Sequence, residues 1–522
     1  MSTQKLVFIV FISVVFNCGC KKLNETYGGN LTTGQVANNA TAELLRGVYT
    51  SLASTFTTHE AIFPLSELTT DAGIAPTRGT DWDDNGVYRA LHQHRWDANN
   101  KFLRIGFNSL SGTVYAATDI LRYNPSLQET AEAKFLRSFA MYWLLDLFDQ
   151  VPYRDPGENL IQPARVRKGL DALEFIITQL SEAMADLPDA PVYKANKNAA
   201  KVLLMKCYLN KAIYGNRGNI NPSHQATDMN KVIGLADEVI KSGRFSFSQN
   251  YFGNFAPDNS DPVTIRENIF THLNVAGLTT DYNVQSAWFM VFHYYMNPSG
   301  WNGFATLSDF YNKFEAADKR RGLVYSTTSS PPNPGNRINV GFLKDQQYDP
   351  TTDAPLIDRN HIPLVFTPEV KNIETYPNLE GAGIRPLKYF PDFANPNSPD
   401  NDFVFFRFSD VLLMKAEAIL RGGNGTTAGI YGDNATLIVN SIRTHSSRNA
   451  TPLSSVTLEN LLDERGRELW WEGWRRQDLI RFNKFLKPFQ EKNYQSDIKY
   501  LLFPIPAAQL AVNPNLVQHQ GY

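Results

Sequence analysis

Cysteine is scarce, with 3 residues in a chain of 522, too few for a disulfide framework to hold the fold. Charge is nearly balanced at a formal −2, and no basic run of five or more residues occurs. Nucleic-acid binding, which needs concentrated lysine and arginine, is excluded on that ground. The apolar run Leu6 to Phe16 is too short to cross a bilayer as a helix. The patterns that hold a catalytic zinc or raise a serine nucleophile, His-Glu-x-x-His and Gly-x-Ser-x-Gly, are missing. His92 and His94 stand two apart with no third ligand nearby. Carboxylates are plentiful, but nothing singles out an acid and a base at glycosidase separation. Asp81-Trp82-Asp83-Asp84-Asn85-Gly86 opens like a calcium loop, yet its twelfth position is His92 where a bidentate glutamate belongs. The sequence therefore predicts no enzyme, with no catalytic residue, cofactor or metal assigned.

What is present reads as a packed globular protein. Apolar residues make up 43% and charged residues 20%, as in ordinary folded domains. The length calls for one large or two interlocked domains. The 8 tryptophans, 23 tyrosines and 33 phenylalanines fill a core and leave some rings for a surface that binds flat ligands. Lys5 followed by Leu6 to Phe16 suits a secretory signal. It ends at Asn17-Cys18-Gly19-Cys20, where a small residue before a cysteine resembles a lipobox. Residues 1–19 are expected to be removed and Cys20 to carry the lipid. Cys18 is the second choice, and a plain cleaved signal is the simpler alternative. Several acyl chains on one residue anchor stably where one is marginal. Cys207 then remains, in the apolar stretch Ala199 to Tyr208, as a buried structural cysteine.

Residues 20–33 are polar and glycine-rich, a tether from lipid to domain. Helical spacing starts near Asn38 and predicts a helical scaffold over 34–244. Its blocks are Lys101 to Tyr123, Glu129 to Phe148, Gly169 to Leu187, Lys197 to Tyr214 and Met229 to Lys241. The second is apolar on most sides, as a helix buried nearly all round would be. Helices of this length joined by short turns resemble degenerate tetratricopeptide repeats. Residues 245–402 turn rich in proline, glycine, asparagine and aspartate, with one helical stretch at Leu307 to Phe314. Long loops in a compact protein carry function. Residues 403–522 return to helices, at Phe408 to Arg421, Ala435 to Arg443 and Leu458 to Trp471, and complete the scaffold.

Four ordered stretches are more specific. The first is Glu464 to Phe482, with Arg465, Glu468, Leu469, Glu472, Gly473, Arg475, Asp478, Leu479, Arg481 and Phe482. Read as helix, it puts Glu472 and Arg476 in an ion pair and Gly466 and Gly473 on one packing face. The second is Arg407, Asp410, Leu412, Leu413, Ala416, Glu417 and Ala418, with Phe408 and Ser409 between. The third is Phe503-Pro504-Ile505-Pro506 followed by Asn513-Pro514-Asn515-Leu516, Gln518 and Gly521-Tyr522, and the fourth is the long helix that ends at Val151-Pro152. Together they resemble the signatures of the SusD/RagB family. Departures are Phe408 for the family's tyrosine, Ser409 for its alanine and His519 for its asparagine. The resemblance implies a mainly α, SusD-like fold on a tetratricopeptide-like scaffold. It also implies attachment to the outer membrane facing outward, beside a SusC-like TonB-dependent transporter. The expected function is nutrient capture, of an oligo- or polysaccharide. The alternatives are a peptide, as in RagB-type members, and a structural partner of the transporter that binds nothing.

Sugars offer apolar faces to aromatic rings and hydroxyls to amides and carboxylates. Ser66 to Trp96 and Ser286 to Phe304 have that mixture, and the family draws ligand contacts from these regions. Expected ligand residues are Arg78, Asp81, Trp82, Tyr88 and Trp96 from the first, with Trp288, Tyr295, Trp301 and Asn302 from the second. Each tryptophan has a plain alternative as a core ring.

Overall fold

The computed structural model describes residues 33–522 except 80, 280–282 and 375–379, with side chains from residue 40 onward. Cys20, the signal segment and the tether to residue 32 lie outside the described residues. Helix starts at Thr33, ahead of the Asn38 start read from spacing, and runs to Thr57. Among the described residues no helix is long and apolar enough to cross a membrane.

The helices stack in chain order: Lys101–Ile120, Leu127–Phe148, Gly169–Ala183, Lys197–Gly215 and Ala226–Lys241, each against the next. Local chemistry sets their ends. Asn124, in the left-handed conformation, closes a turn after the first, and Ser126 and Glu129 form a reciprocal capping box at the start of the second. Asn196 and Asn434 cap later helices by accepting from backbone N–H groups. From residue 131 to 148 every position but Lys134 is buried. This helix has no polar face because neighbours cover every side. Its two buried carboxylates are paired inside, Glu132 accepting from Tyr49 Oη at 2.8 Å and Asp146 from Tyr214 Oη at 2.9 Å.

The loop-rich region carries only short strands. Asn268–His272 pairs antiparallel with Phe403–Arg407, and Val340–Leu343 lies between Gly322–Leu323 and Arg385–Leu387. The expected helix at Leu307 to Phe314 is a single turn, Ser308–Tyr311. The helix Phe408–Leu420 packs on Ala226–Lys241, so helices from both ends of the chain share one core.

The segment Glu464 to Phe482 breaks where a continuous helix was expected. Helix stops at Leu469 and resumes at Arg475, with Trp471 and Gly473 at positive φ between. Glu472 and Arg476 therefore do not pair. Glu472 accepts instead from Arg407 and Lys388, both at 2.7 Å. Gly466 and Gly473 share no face: a Cβ on Gly466 would lie 2.8 Å from Arg475, whereas Gly473 serves the turn.

Glu468 is the centre of a dry ionic cluster. It meets Arg448 at 2.6 Å, Arg407 at 2.9 Å and Arg320 at 3.1 Å. Glu267 shares Arg407 and Arg448, and Glu464 binds Arg320 and Arg443. Burial alone would raise the Glu468 carboxyl; Arg448, Arg407 and Arg320 reverse this and hold it well below the usual range. Glu464 is likewise pulled from 4.5 to about 2, against its burial, chiefly by Arg320. These depressed groups add stability that is full above pH 4.5 and is lost as pH falls toward 2. Glu468→Gln leaves guanidinium charge uncompensated, and urea unfolding at neutral pH should show a loss of about 3–5 kcal/mol. The gap from wild type should narrow on acidification below pH 4.5, because the unfolded chain takes up a proton at Glu468 before the folded one does.

Candidate ligand-binding cleft

Three loops make an open cleft. The first wall begins at an antiparallel bridge between Arg78 and Asp81. The chain then reverses through Trp82, Asp84, Asn85 and Gly86, all at positive φ, into the short helix Val87–His92. Asp, Asn and Gly tolerate that conformation, but a tryptophan at φ 62° is strained. Surrounding contacts hold it. Trp82 Nε1 donates to the Trp301 carbonyl at 2.7 Å, and its ring packs 5.3 Å from both Tyr88 and Phe304. Gly303 makes room, since a Cβ there would sit 2.3 Å from the indole.

The second wall is 286–304. After one helical turn the chain folds back, with Asn302 N–H bonded to Phe292 O at 2.7 Å and Gly303 N–H to Met290 O at 3.0 Å. The fold-back presents Trp301 at 39% exposure, beside His59 at 4.9 Å. Ile74 and Ala305 exchange backbone bonds of 2.9 and 2.8 Å and join the two walls.

The third wall is electrostatic. Asp81 Oδ2 accepts from Tyr294 Oη at 2.7 Å and Arg359 at 2.8 Å, and the Arg359 guanidinium lies 4.1 Å over the Tyr294 ring. Arg359 also binds Glu380, which His293 Nε2 meets at 2.7 Å. The Tyr294 hydrogen bond, with Arg359 behind it, holds Asp81 below the ordinary carboxylate value despite some desolvation. Burial lowers His59 and so favours its neutral form. Lys101 pairs with Glu60 at 3.1 Å at the rim. The open cleft between these walls holds about 530 Å³, room for a few sugar-sized rings.

The structure brings Asp81, Trp82 and Trp301 together in this cleft, whereas the expected contact Tyr88 is a buried core ring beneath Trp82, packed on Phe102 and Phe304. Arg78 and Asn302 lie buried beneath it. The Arg78 guanidinium donates to the Asn302 and Gly303 carbonyls at 3.1 and 3.3 Å, and burial lowers its pKa to about 9. Asn302 is tied to the Glu380 carbonyl at 3.1 Å and to Arg385 at 2.8 Å. The expected contacts at Trp96 and Trp288 fall in the core. Trp96 packs on Phe503 and donates to Tyr522 Oη at 2.9 Å, and Trp288 is fully buried. Tyr295 is 51% exposed beside His293 but does not line the cleft. His59, Lys101, Tyr294 and Arg359 line it without having been singled out in the sequence. Tyr294 was one position away from a named residue. Arg359 is 278 residues from Asp81, and no local pattern links them. Among the described residues no group of three or more His, Cys, Asp and Glu is placed to hold a metal ion.

The SusD family model matches residues 266–522. Starch-binding protein SusD of Bacteroides thetaiotaomicron is 24% identical over 507 residues, spanning 89% of this chain and 86% of that protein. A SusD superfamily protein from Parabacteroides distasonis has a TM-score of 0.68 at 19% identity, over 93% of this chain and 99% of its own. A laminarin-binding SusD-like protein has a TM-score of 0.67 at 17% identity, over the same 93% and 99%. Both structures share the fold described above.

Gly303→Ala tests the geometry directly. The added methyl should expel the Trp82 indole from its seat, raise its quenching by iodide, and leave the melting temperature within a few degrees of wild type, because the displaced ring lies at the cleft rather than in the core.

Proposed function

We propose that this chain, which belongs to the SusD family, is a binding subunit that captures an oligo- or polysaccharide in the Trp82–Trp301 cleft. One observation carries the reading: a strained turn and a fold-back, from distant segments, are locked together so that the Trp301 indole stands partly exposed beside fixed polar groups. A pyranose face stacks on such a ring, and its hydroxyls reach the groups around it. Asp81 uses Oδ2 for both its bonds and leaves Oδ1 without a partner among the described residues. Fixing these groups in advance lowers the ordering cost of binding.

The same groups argue for capture over hydrolysis. Asp81 is tied to Tyr294 and Arg359, and Glu60 to Lys101. The bonds to Asp81 favour its ionised form, whereas a glycosidic acid must be kept protonated by an apolar pocket. The likeness to a starch-binding protein and the fold of a laminarin-binding one support a neutral glucan as the ligand class. In this reading the helices of 34–244 and 403–522 form the scaffold, and 245–402 supplies ligand and partner contacts together with the turn at Asp81 and Trp82. Cys20 anchors the chain to the outer membrane, facing outward, and a SusC-like TonB-dependent transporter receives the sugar.

Tryptophan fluorescence of the chain from Lys21 onward, titrated with oligosaccharides and peptides, tests this. Saturable quenching by one glycan class is expected. Trp301→Ala and Trp82→Ala should each weaken it by roughly ten-fold, the scale of a lost aromatic contact. A response to peptides alone would move the protein to the peptide-uptake branch, and no response to any ligand would overturn the capture reading.

A further inference from the structure

A second cleft, of about 660 Å³, shares a wall with the first. The loop 292–301 lines both, giving Tyr294, Gly300 and Trp301 to the first and Phe292, Met296 and Asn297 to the second. The floor of the second cleft is apolar, with Phe292, Phe342 and Leu343 buried. Its walls carry two tyrosines, each stacked on a guanidinium: Tyr311 on Arg321 at 4.4 Å and Tyr348 on Arg337 at 3.5 Å. Asp353 holds Arg337 with bonds of 2.8 and 3.2 Å, which pins Tyr348 in turn.

Side-chain amides brace the walls. Asn333 donates to the Arg337 carbonyl at 2.9 Å and Asn339 to the Tyr325 carbonyl at 2.8 Å. Gln346 donates to the Leu356 carbonyl at 2.8 Å and Gln347 to the Asp345 carbonyl at 2.9 Å. These bonds brace the loops that wall the apolar floor. Other polar groups are not used this way. The exposed amides of Asn297 and Asn336 and the hydroxyl of Tyr348 make no hydrogen bond among the described residues. Arg337 and Lys344 are neutralised by Asp353 and Asp345. Pinned rings, an apolar floor, unused amides and little net charge fit a neutral sugar better than an anion or a cation.

We propose that this cleft is a second saccharide site, and that one polymer chain crosses the 292–301 loop to occupy both clefts. The ligand class rests on the glycan reading of the first cleft, whereas the site stands on its own geometry. Calorimetric titration with soluble starch, laminarin and their hexasaccharides, on the chain from Lys21 onward, separates the two. Tyr348→Ala and Asn336→Ala should leave hexasaccharide binding in the first cleft within about two-fold of wild type. Each should weaken the polymer by about ten-fold, because a linked second contact multiplies affinity. Trp301→Ala should leave weak polymer binding that Tyr348→Ala then removes, with unchanged melting temperatures showing that each variant folds. If Trp301→Ala abolishes all binding while Tyr348→Ala and Asn336→Ala match wild type, the second site is refuted and the first stands. If those two variants instead loosen only attachment to the transporter, the cleft is a partner surface and the proposal is wrong. If wild type binds no saccharide, the reading of the first cleft fails and this one falls with it.

Discussion

Everything that positions the site depends on a carboxylate sealed from water. Glu468 draws in Arg320 from the loop region, Arg407 from a strand and Arg448 from the turn after a helix, segments that share no sequence neighbourhood. Taking these charges out of water is costly, and only mutual attraction and hydrogen bonding offset that cost. The arrangement is therefore close to all-or-none, since one missing partner leaves the others buried and unpaired. Such a cluster adds little net stability compared with a well-packed apolar core, but it fixes which segments meet.

From that centre the constraint passes outward through the turn at 470–474. Glu472 reaches Arg407 and Lys388, which hold the turn open. Gly473 N–H donates to Glu67 at 2.7 Å, and Arg475 clasps Asp71 at 2.7 and 2.8 Å. Glu67 and Asp71 lie at the base of the segment that becomes the first cleft wall. Ala72 then accepts from Thr306 Oγ1 at 2.7 Å, and the Ile74–Ala305 bridge brings the second wall alongside. The segment Glu464 to Phe482 so acts as a positioning device for the loops that wall the first cleft.

The helical scaffold was legible in the sequence because its signals are local. Spacing located the long helices, and residues such as Ser126 and Asn196 cap them within a few positions of the ends read there. The break at Trp470 to Gly473 was not legible. Its cause is Arg407 and Lys388 competing for Glu472, and neither lies nearby in the chain. The cleft divides in the same way. Trp82 and Trp301, set among turn residues, could be picked out; Arg359 could not, because only the fold brings it to Asp81. Trp96 and Trp288 show the opposite failure, since ring chemistry alone does not tell a core indole from a surface one.

The helix Leu127–Phe148 is encased on every side from residue 131 to its end. A mast so enclosed must assemble with its neighbours or not at all, so the scaffold forms as one cooperative unit. Both clefts stand on loops whose buried rings, among them Tyr88, Phe304 and Phe342, join the same core as the mast. Exposed tips such as Trp301 can therefore change at small cost to the mast, whereas the rings beneath them cannot.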